Sequence, residues 1–233
     1  MTSDPVSDAT VSRIKLEAPS AAPGGLQDDT AKPDSHVKTV FHDPIHFNVK
    51  HPLQRRWTLF FDNPQEKSGM HNWEMNVKSI VTFDTVEDFW GVYNNVLNAS
   101  QLGAGCNYHL FKEGVRPAWE DPANVNGGKW VTVLPKTRRA ELDRMWMETI
   151  LGVVGETFPK SDEICGVVMS IRIKQDRLSL WTKTALDAEA TKAAGQHWKK
   201  ILNFEEMERI GYQAHSDALR QDSSYFNDDM YSV

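Results

Sequence analysis

Alternating apolar and polar residues divide the chain into strands, and apolar residues at helical spacing mark the segments between them. From Trp73 onward the two kinds alternate, which predicts a half-buried strand from Trp73 to Phe83 with a charged outer face. Six other runs have strand composition, at residues 57–61, 107–112, 129–134, 164–173, 177–182 and 209–213. A turn around Gln175 and Asp176 joins two of these runs into a hairpin.

Three helices are predicted between these strands. The first begins with a capping sequence at Asp84, and this helix is expected to run to about Leu97. The others cover about 138–154 and 187–202, and the chain after residue 213 is expected to be a polar tail. Because helices are inserted singly and no βαβ rhythm repeats, the pattern predicts an α+β domain on an antiparallel sheet.

The second helix has more apolar residues than one buried face needs. Its core face is complete without Met147, Leu151 and Val154. Either the helix is buried nearly all round, or this second stripe is an exposed site for a partner; the pattern alone leaves both open.

Composition separates a tail from one folded domain. Residues 1–36 are rich in Ser, Thr, Ala, Pro and Asp without an apolar period, which predicts a disordered N-terminal tail. The remainder, 37–233, is expected to be a single domain, since 233 residues with 40% hydrophobic content allow one sizeable core.

Charge and cysteine content narrow the class of protein. A net charge of -6 argues against a broad nucleic-acid-binding surface but allows a local basic site. The two cysteines, Cys106 and Cys165, have no metal-binding spacing and suit a reducing compartment. No run is long enough to span a membrane and no signal peptide is present, so we expect a soluble cytoplasmic protein, with a nuclear fraction allowed.

The usual catalytic motifs are absent. The glycines at 103–105 and at 127–128 lack the residues that complete a dinucleotide or phosphate loop. His42, His46 and His51 are more often solvated than metal-bound in such a pattern, and no metal or cofactor is expected. We therefore predict a protein that is not an enzyme; a nucleotide hydrolase is the least favoured alternative.

Trp119-Glu120 is an unusual pair, because a large indole lies beside a carboxylate on a loop between Pro117 and Pro122. A lone loop Trp usually folds back onto the core. However, Trp73-Glu74 repeats the pattern, and the run 177–182 places Arg177, Ser179 and Trp181 on one face, opposite its leucines.

These residue types suit a base that carries phosphates. Two indoles can stack on a flat ring, and they bind it more tightly when the ring is cationic. Glu120 would accept from the two donors on the edge of guanine, while Arg172, Lys174 and Arg177 would bind phosphates. A methylated guanine with a phosphate chain satisfies all of these groups.

Several motifs in the same order resemble the eukaryotic translation initiation factor 4E family, the mRNA cap-binding proteins. The resemblance runs from about His51 to His215. Its motifs are the segments 51–53, 83–90, 117–121, 127–130, 142–146, 155–156 and 211–213. Trp at both 57 and 73 resembles the translational class rather than repressor-type homologues, and we expect a fungal-like member.

The resemblance implies a fold and a cap site. The fold would be α+β, a single curved antiparallel β-sheet of about eight strands with three helices on its convex face. Trp73 and Trp119 would sandwich 7-methylguanine, Glu120 would bind its Watson–Crick edge, and Trp181 would contact the methyl group. The implied phosphate-binding residues are Arg172, Arg177, Lys174 nearby, and Lys129 where the family often has Arg.

It also implies partners. Besides capped mRNA, these are the 4G scaffold factor and the inhibitory 4E-binding proteins, bound to a monomer as a helix on a dorsal surface. The implied dorsal residues are His51, Pro52, Val86, Trp90, Met147, Glu148 and Leu151. Two alternatives remain: Trp90 could belong to the core, and the protein could be a cap-binding repressor without productive scaffold contact.

Overall fold

The computed structural model describes residues 50–63, 76–205, 207–221 and 228–233. Across these ranges eight strands form one antiparallel sheet in the order β2-β1-β3-β5-β6-β4-β7-β8. The strands are β1 Pro52–Asp62, β2 Val77–Thr85, β3 Asn107–Lys112, β4 Gly128–Pro135, β5 Ile164–Ser170, β6 Gln175–Thr182, β7 Gly211–Ala214 and β8 Tyr231–Ser232. The predicted tail, 1–36, and the predicted strand start at Trp73 lie outside the described residues.

Three long helices cover one face of the sheet. They are α1 Val86–Asn95, α2 Leu142–Val154 and α3 Ala188–Ile201, and a shorter α4, His215–Gln221, follows β7. Phe89 of α1, Ile150 of α2 and Trp198 of α3 belong to the same buried cluster as Leu110 and Leu180 of the sheet. The eight-stranded antiparallel sheet with three main helices confirms the predicted α+β class.

Buried indoles attach α3 to its neighbours. Trp130 on β4 donates its Nε1–H to the Thr191 carbonyl at 3.0 Å, and Trp198 donates to Thr149 Oγ1 on α2 at 2.9 Å. A Cβ on Gly195 would lie 2.5 Å from the Trp130 ring, so glycine is what allows the helix to approach the sheet this closely. These hydrogen bonds satisfy polar atoms that would otherwise be costly to bury.

Strand β6 separates the two faces of the sheet. Leu178 and Leu180 are fully buried in the cluster beneath the helices, whereas Trp181 belongs to a second cluster on the opposite face. The alternation predicted for this strand is therefore confirmed. We call the face opposite the helices, which carries Arg177, Ser179 and Trp181, the open face.

The predicted starts of α1 and α2 are wrong by one to a few residues. The cap of α1 is Thr85, not Asp84, because Thr85 Oγ1 accepts from Asp88 N at 3.1 Å. Helix α2 begins at Leu142 rather than near Arg138. The segment Lys136–Glu141 is a 3₁₀ helix in which Arg138 leaves helical geometry, with φ -103° and ψ 16°.

The β5–β6 connection and the C-terminus also differ from expectation. Gln175 and Asp176 are the first residues of β6, so the turn occupies 171–174. The last predicted strand, 209–213, is observed at Gly211–Ala214, and α4 and β8 follow it where a polar tail was expected.

The surplus apolar stripe of α2 proves to be mixed. Val154 is buried, which fits a helix buried nearly all round, whereas Leu151 is exposed and Met147 is half-buried, which fits an exposed site. No helix within the described ranges is long and apolar enough to cross a membrane.

Candidate functional site

The loop 113–127 that carries Trp119 and Glu120 is held by two buried side chains. Asp121 accepts from the backbone amides of Arg116 at 3.1 Å and Ala123 at 2.9 Å. Asn124 donates its Nδ2 to the carbonyls of Arg116 and Ala118 at 2.9 and 2.8 Å. Because both anchors are buried and bond the loop backbone at two points each, the loop presents Trp119 from a fixed position.

Trp119 is half-buried on the open face, and Glu120 beside it is exposed. The indole packs against a small cluster formed by Phe111, Cys165, Val168 and Trp181. Trp119 therefore packs on a cluster separate from the core beneath the helices. Its role in binding stays a prediction, as does the role of Glu120.

Trp181 forms the floor of this cluster. It is 5% exposed and meets Phe111 edge to face, with ring centroids 5.3 Å apart. Its other neighbour is His215 at the start of α4, whose ring centroid is 4.1 Å away. Burial, followed by the nearby Lys129 ammonium, lowers the pKa of His215 to about 3, so the imidazole is neutral at physiological pH.

Polar atoms at this floor are not paired within the described chain. Neither Trp181 Nε1 nor either ring nitrogen of His215 has a hydrogen-bond partner among the described residues. Buried polar groups in native proteins are nearly always satisfied, by water or ligand where protein does not supply a partner. We therefore expect water or a ligand to supply partners for these three nitrogens.

The basic side chains on the open face come from neighbouring strands. Lys129 on β4 pairs in register with Trp181 on β6, and Arg177 lies further along β6 on the same face. Lys129 is only 7% exposed; burial, and secondarily the charge of Arg177, lowers its pKa to about 8. Because both side chains lie on the same face, their positive charges add there and favour an anion.

Arg172 and Lys174 lie in the β5–β6 turn. The Arg172 guanidinium donates from Nη1 to the Ile171 carbonyl at 2.9 Å and to that of Gly105 at 3.4 Å. Lys174 is exposed. The structure thus groups Trp119, Trp181, Lys129 and Arg177 on one face, with the turn at the start of β6. Trp73 lies outside the described residues.

Several residues that shape the site escaped sequence reasoning. Asp121 and Asn124 carry a weak signal, since Asp and Asn side chains commonly bond nearby backbone in turns. Asp176 was placed in the turn, and nothing in the sequence indicates that His215 contacts Trp181. Among the described residues, no group of three or more His, Cys, Asp or Glu side chains could hold a metal ion.

The helix side carries the second predicted surface. Val86, Trp90 and Leu151 are exposed large hydrophobics there, with Trp90 37% exposed. Trp90 contacts Phe89 and Tyr93 at centroid distances of 5.0 and 5.8 Å. Its exposure argues against the alternative in which it is a core residue.

Neighbouring polar contacts fix the rest of this surface. His51 and Pro52 lie at the start of β1 beside α1, since the His51 carbonyl accepts from Val86 N at 2.9 Å and His51 Nδ1 lies 2.6 Å from Glu87 Oε1. On α2, Glu148 accepts from Arg144 Nη1 at 2.6 Å. Whether these residues bind a partner remains a prediction.

Comparison with known proteins matches residues 52–230 to the family model described as "Eukaryotic initiation factor 4E". Wheat (Triticum aestivum) eukaryotic translation initiation factor 4E-1 is 45% identical over 172 residues, which are 74% of this chain and 78% of that protein. The Capsicum annuum isoform 4E is 40% identical over 203 residues, 87% of this chain and 95% of the relative.

Solved structures of proteins in the same family are also similar to this chain. C. elegans eIF4E-3, in complex with the 4E-binding protein Mextli and a cap analogue, is 37% identical with a TM-score of 0.71, over 79% of this chain and 99% of that one. Ascaris suum eIF4E-3 with the m7G cap gives the same identity and TM-score, over 79% and 98%. The expected likeness to fungal members has no support among these plant and nematode relatives.

Proposed function

This chain belongs to the eukaryotic initiation factor 4E family, and on that premise we propose that it binds the 7-methylguanosine cap of mRNA and recruits the 4G scaffold to initiate translation. The family consists of translation initiation factors and is non-enzymatic. The observation that carries the proposal is the open face, where Trp119 packs against the cluster that contains Trp181 and the cations Lys129 on β4 and Arg177 on β6 share that face.

The base would lie against the exposed side of Trp119, with Trp73 as the opposite wall. Stacking of a base on an aromatic ring contributes about 1 to 3 kcal/mol. Methylation at N7 makes the ring cationic, and an indole face then adds about 0.5 to 2 kcal/mol. Glu120 is the adjacent acceptor for the Watson–Crick edge, and Trp181 lies beneath the slot.

The phosphates would follow the basic residues away from the base. Lys129 is on β4 opposite Trp181, Arg177 is on β6 with Trp181, and Arg172 and Lys174 are in the turn before β6. Arginine can bind a phosphate through two parallel hydrogen bonds, whereas Lys129 supplies a point charge. The chain of cations suits a triphosphate better than a single phosphate.

Tryptophan fluorescence quenching tests the proposal directly. We expect 7-methylguanosine triphosphate to quench the intrinsic fluorescence at concentrations at least about tenfold lower than unmethylated GTP, because only the methylated ring is cationic. Equal quenching by the two nucleotides would contradict the proposed slot. Analysis of a cap dinucleotide after incubation checks the least favoured alternative, since hydrolysis products would indicate an enzyme.

Triphosphate binding should depend on pH through Lys129. The lowered pKa of about 8 means that this lysine loses its charge as pH rises through that value, whereas bound phosphate requires the charged form. Linkage of one proton to binding weakens affinity by at most about tenfold per pH unit above the pKa. We therefore expect affinity to fall between about pH 8 and pH 9, measured by calorimetric titration.

Lys129→Arg is the matched control for this dependence. Arginine stays charged throughout the range, and any titration of the nucleotide itself is common to both proteins. The difference between the two pH profiles therefore isolates Lys129. Profiles that superimpose would show that Lys129 does not contact phosphate.

The dorsal surface is the proposed site for the scaffold. The exposed apolar residues Val86, Trp90 and Leu151 can accept the apolar stripe of an amphipathic helix, with His51, Pro52, Met147 and Glu148 around them. An exposed tryptophan is a frequent binding hot spot. This exposure favours a scaffold-binding factor over the alternative, a cap-binding repressor that lacks productive scaffold contact.

A further inference from the structure

The buried carboxylate of Asp176 lies on the helix side of the sheet, opposite the proposed phosphate site. Asp176 is 0% exposed and lies at the second position of β6, directly before Arg177. Because successive strand residues point to opposite faces, Asp176 points to the helix side while Arg177 points to the open face. Asp176 thus sits behind the phosphate site on the other side of the sheet.

Three donors converge on this carboxylate. Oδ1 accepts from Lys136 Nζ at 2.6 Å and from the backbone amide of Arg172 at 3.1 Å, and Oδ2 accepts from Arg139 Nη1 at 3.5 Å. A buried carboxylate is stable only when it is paired and hydrogen-bonded in this way. The two cations belong to the 3₁₀ helix before α2, so Asp176 joins the turn to the helix layer.

The bond to Arg172 N closes the turn from one side, and a second contact holds it from the other. Ile171 N donates to the Cys106 carbonyl at 3.0 Å, and Gly105 N donates to the Ile171 carbonyl at 2.8 Å. Arg172 is therefore fixed at its backbone between these two anchors, and Arg177 follows the carboxylate by one residue. Both arginines proposed to bind phosphate depend on where Asp176 is held.

We propose that Asp176 is a positioning residue for cap phosphates, fixing Arg172 and Arg177 through the closed β5–β6 turn without touching the ligand. This inference rests on the proposed function and adds to it a residue on the opposite face of the sheet. Asparagine at this position would turn an amide nitrogen toward Arg139 or Lys136, so a donor would face a donor and the turn would shift.

Charge and position predict opposite results for Asp176→Asn. Removing a negative charge near a triphosphate site would, by Coulomb attraction alone, strengthen triphosphate binding. If Asp176 positions the arginines, binding must instead weaken, and only for ligands with phosphates. The sign of the change therefore distinguishes the two roles.

The test measures quenching of the full chain and its Asp176→Asn variant by 7-methylguanosine triphosphate and by the nucleoside 7-methylguanosine. We expect affinity for the triphosphate to fall about tenfold, because small misplacements of binding groups have effects of this size or larger. Affinity for the nucleoside should change less than about twofold, because the stacking walls do not depend on the turn. Asp84→Asn, the same charge change at an exposed carboxylate on β2, should leave both affinities within about twofold.

Every other outcome contradicts the inference in an identifiable way. Unchanged or tighter triphosphate binding by the variant overturns it, and equal weakening for both ligands shows that Asp176 supports the whole fold instead. If the wild-type chain binds neither ligand, the proposed function fails and the inference fails with it. A wild type that prefers the triphosphate, with a variant that keeps this preference, contradicts the inference alone.

A second pair of variants covers the case in which Asp176→Asn does not fold. Arg139→Gln keeps the carboxylate but removes the donor to Oδ2, together with the donor to the Ser100 and Leu102 carbonyls. Arg138→Gln removes a neighbouring charge that is likewise bonded elsewhere, to Glu141 and Glu208. We expect triphosphate affinity to fall about threefold more in Arg139→Gln than in its neighbour. Equal effects of the two substitutions would overturn the inference.

Discussion

Replacing Glu120 with alanine is expected to weaken binding of 7-methylguanosine triphosphate roughly a hundredfold. The carboxylate is proposed to accept two hydrogen bonds from a cationic base, and hydrogen bonds to charged groups contribute about 1.5 to 3 kcal/mol each. A loss of about 3 kcal/mol corresponds to this change in affinity. Fluorescence titration of the variant measures it.

The thermal midpoint of the Glu120→Ala variant should hardly move. Glu120 is exposed, and the loop that carries it is held by Asp121 and Asn124 instead. Glu113→Ala is the matched control, because Glu113 is also an exposed acid of this loop but pairs with Arg56. Equal cap affinity in wild type and Glu120→Ala would refute the proposed role of Glu120.

Replacing Trp90 with alanine should abolish most binding of the 4G scaffold while leaving cap binding intact. Truncation of a central tryptophan in an interface typically costs about 2 kcal/mol or more, which is at least roughly thirtyfold. The proposed cap slot lies on the other face of the sheet, so the effects of the two sites should be separable. Cap-affinity pull-down with scaffold present measures both at once.

Leu186→Ala provides the comparison, since Leu186 is an equally apolar exposed residue in the loop before α3. That variant should retain the scaffold, whereas Trp90→Ala should retain capped RNA alone. If the wild-type protein itself retains RNA without scaffold, the repressor alternative is correct. Scaffold retention by Trp90→Ala would place the docking surface elsewhere.

The sequence predicts most of the sheet because strand period is a property of the backbone. Apolar residues at every second position of β6 can satisfy only one arrangement of faces, and β3 was predicted with its observed bounds, Asn107–Lys112. The start of helix α3 is also predicted correctly, because Asp187 is a typical cap residue and its side chain accepts a hydrogen bond from Ala190 N at 3.1 Å. Local rules are sufficient where a single pattern determines the element.

Ambiguity between neighbouring residues limited the helix boundaries. Asp84 and Thr85 are both good cap residues, and sequence cannot choose between them. The choice depends on β1, because Thr85 still pairs with Pro52 as the last residue of β2. Similarly, residues 136–141 have helical composition, yet Lys136 and Arg139 bond Asp176 from a 3₁₀ segment instead.

The candidate site was only partly predictable for a related reason. Residue type alone is enough to single out Trp119, Glu120, Trp181 and the basic residues as candidates. Asp176 and His215 act through partners that are distant in sequence: Lys136 and Arg139 for the carboxylate, and Trp181 for the imidazole. Contacts of this kind depend on how the strands are ordered, which no local pattern specifies.

The two ends of the sheet also bear on how this protein behaves at high concentration. At one end β8 contributes two residues, Tyr231 and Ser232, so the outermost edge offers few free backbone groups. At the other end β2 exposes Lys78, Ser79 and Asp84. Short or charged edge strands discourage strand addition from a second chain. Among the described residues, both edge strands therefore disfavour pairing with a strand of a second chain.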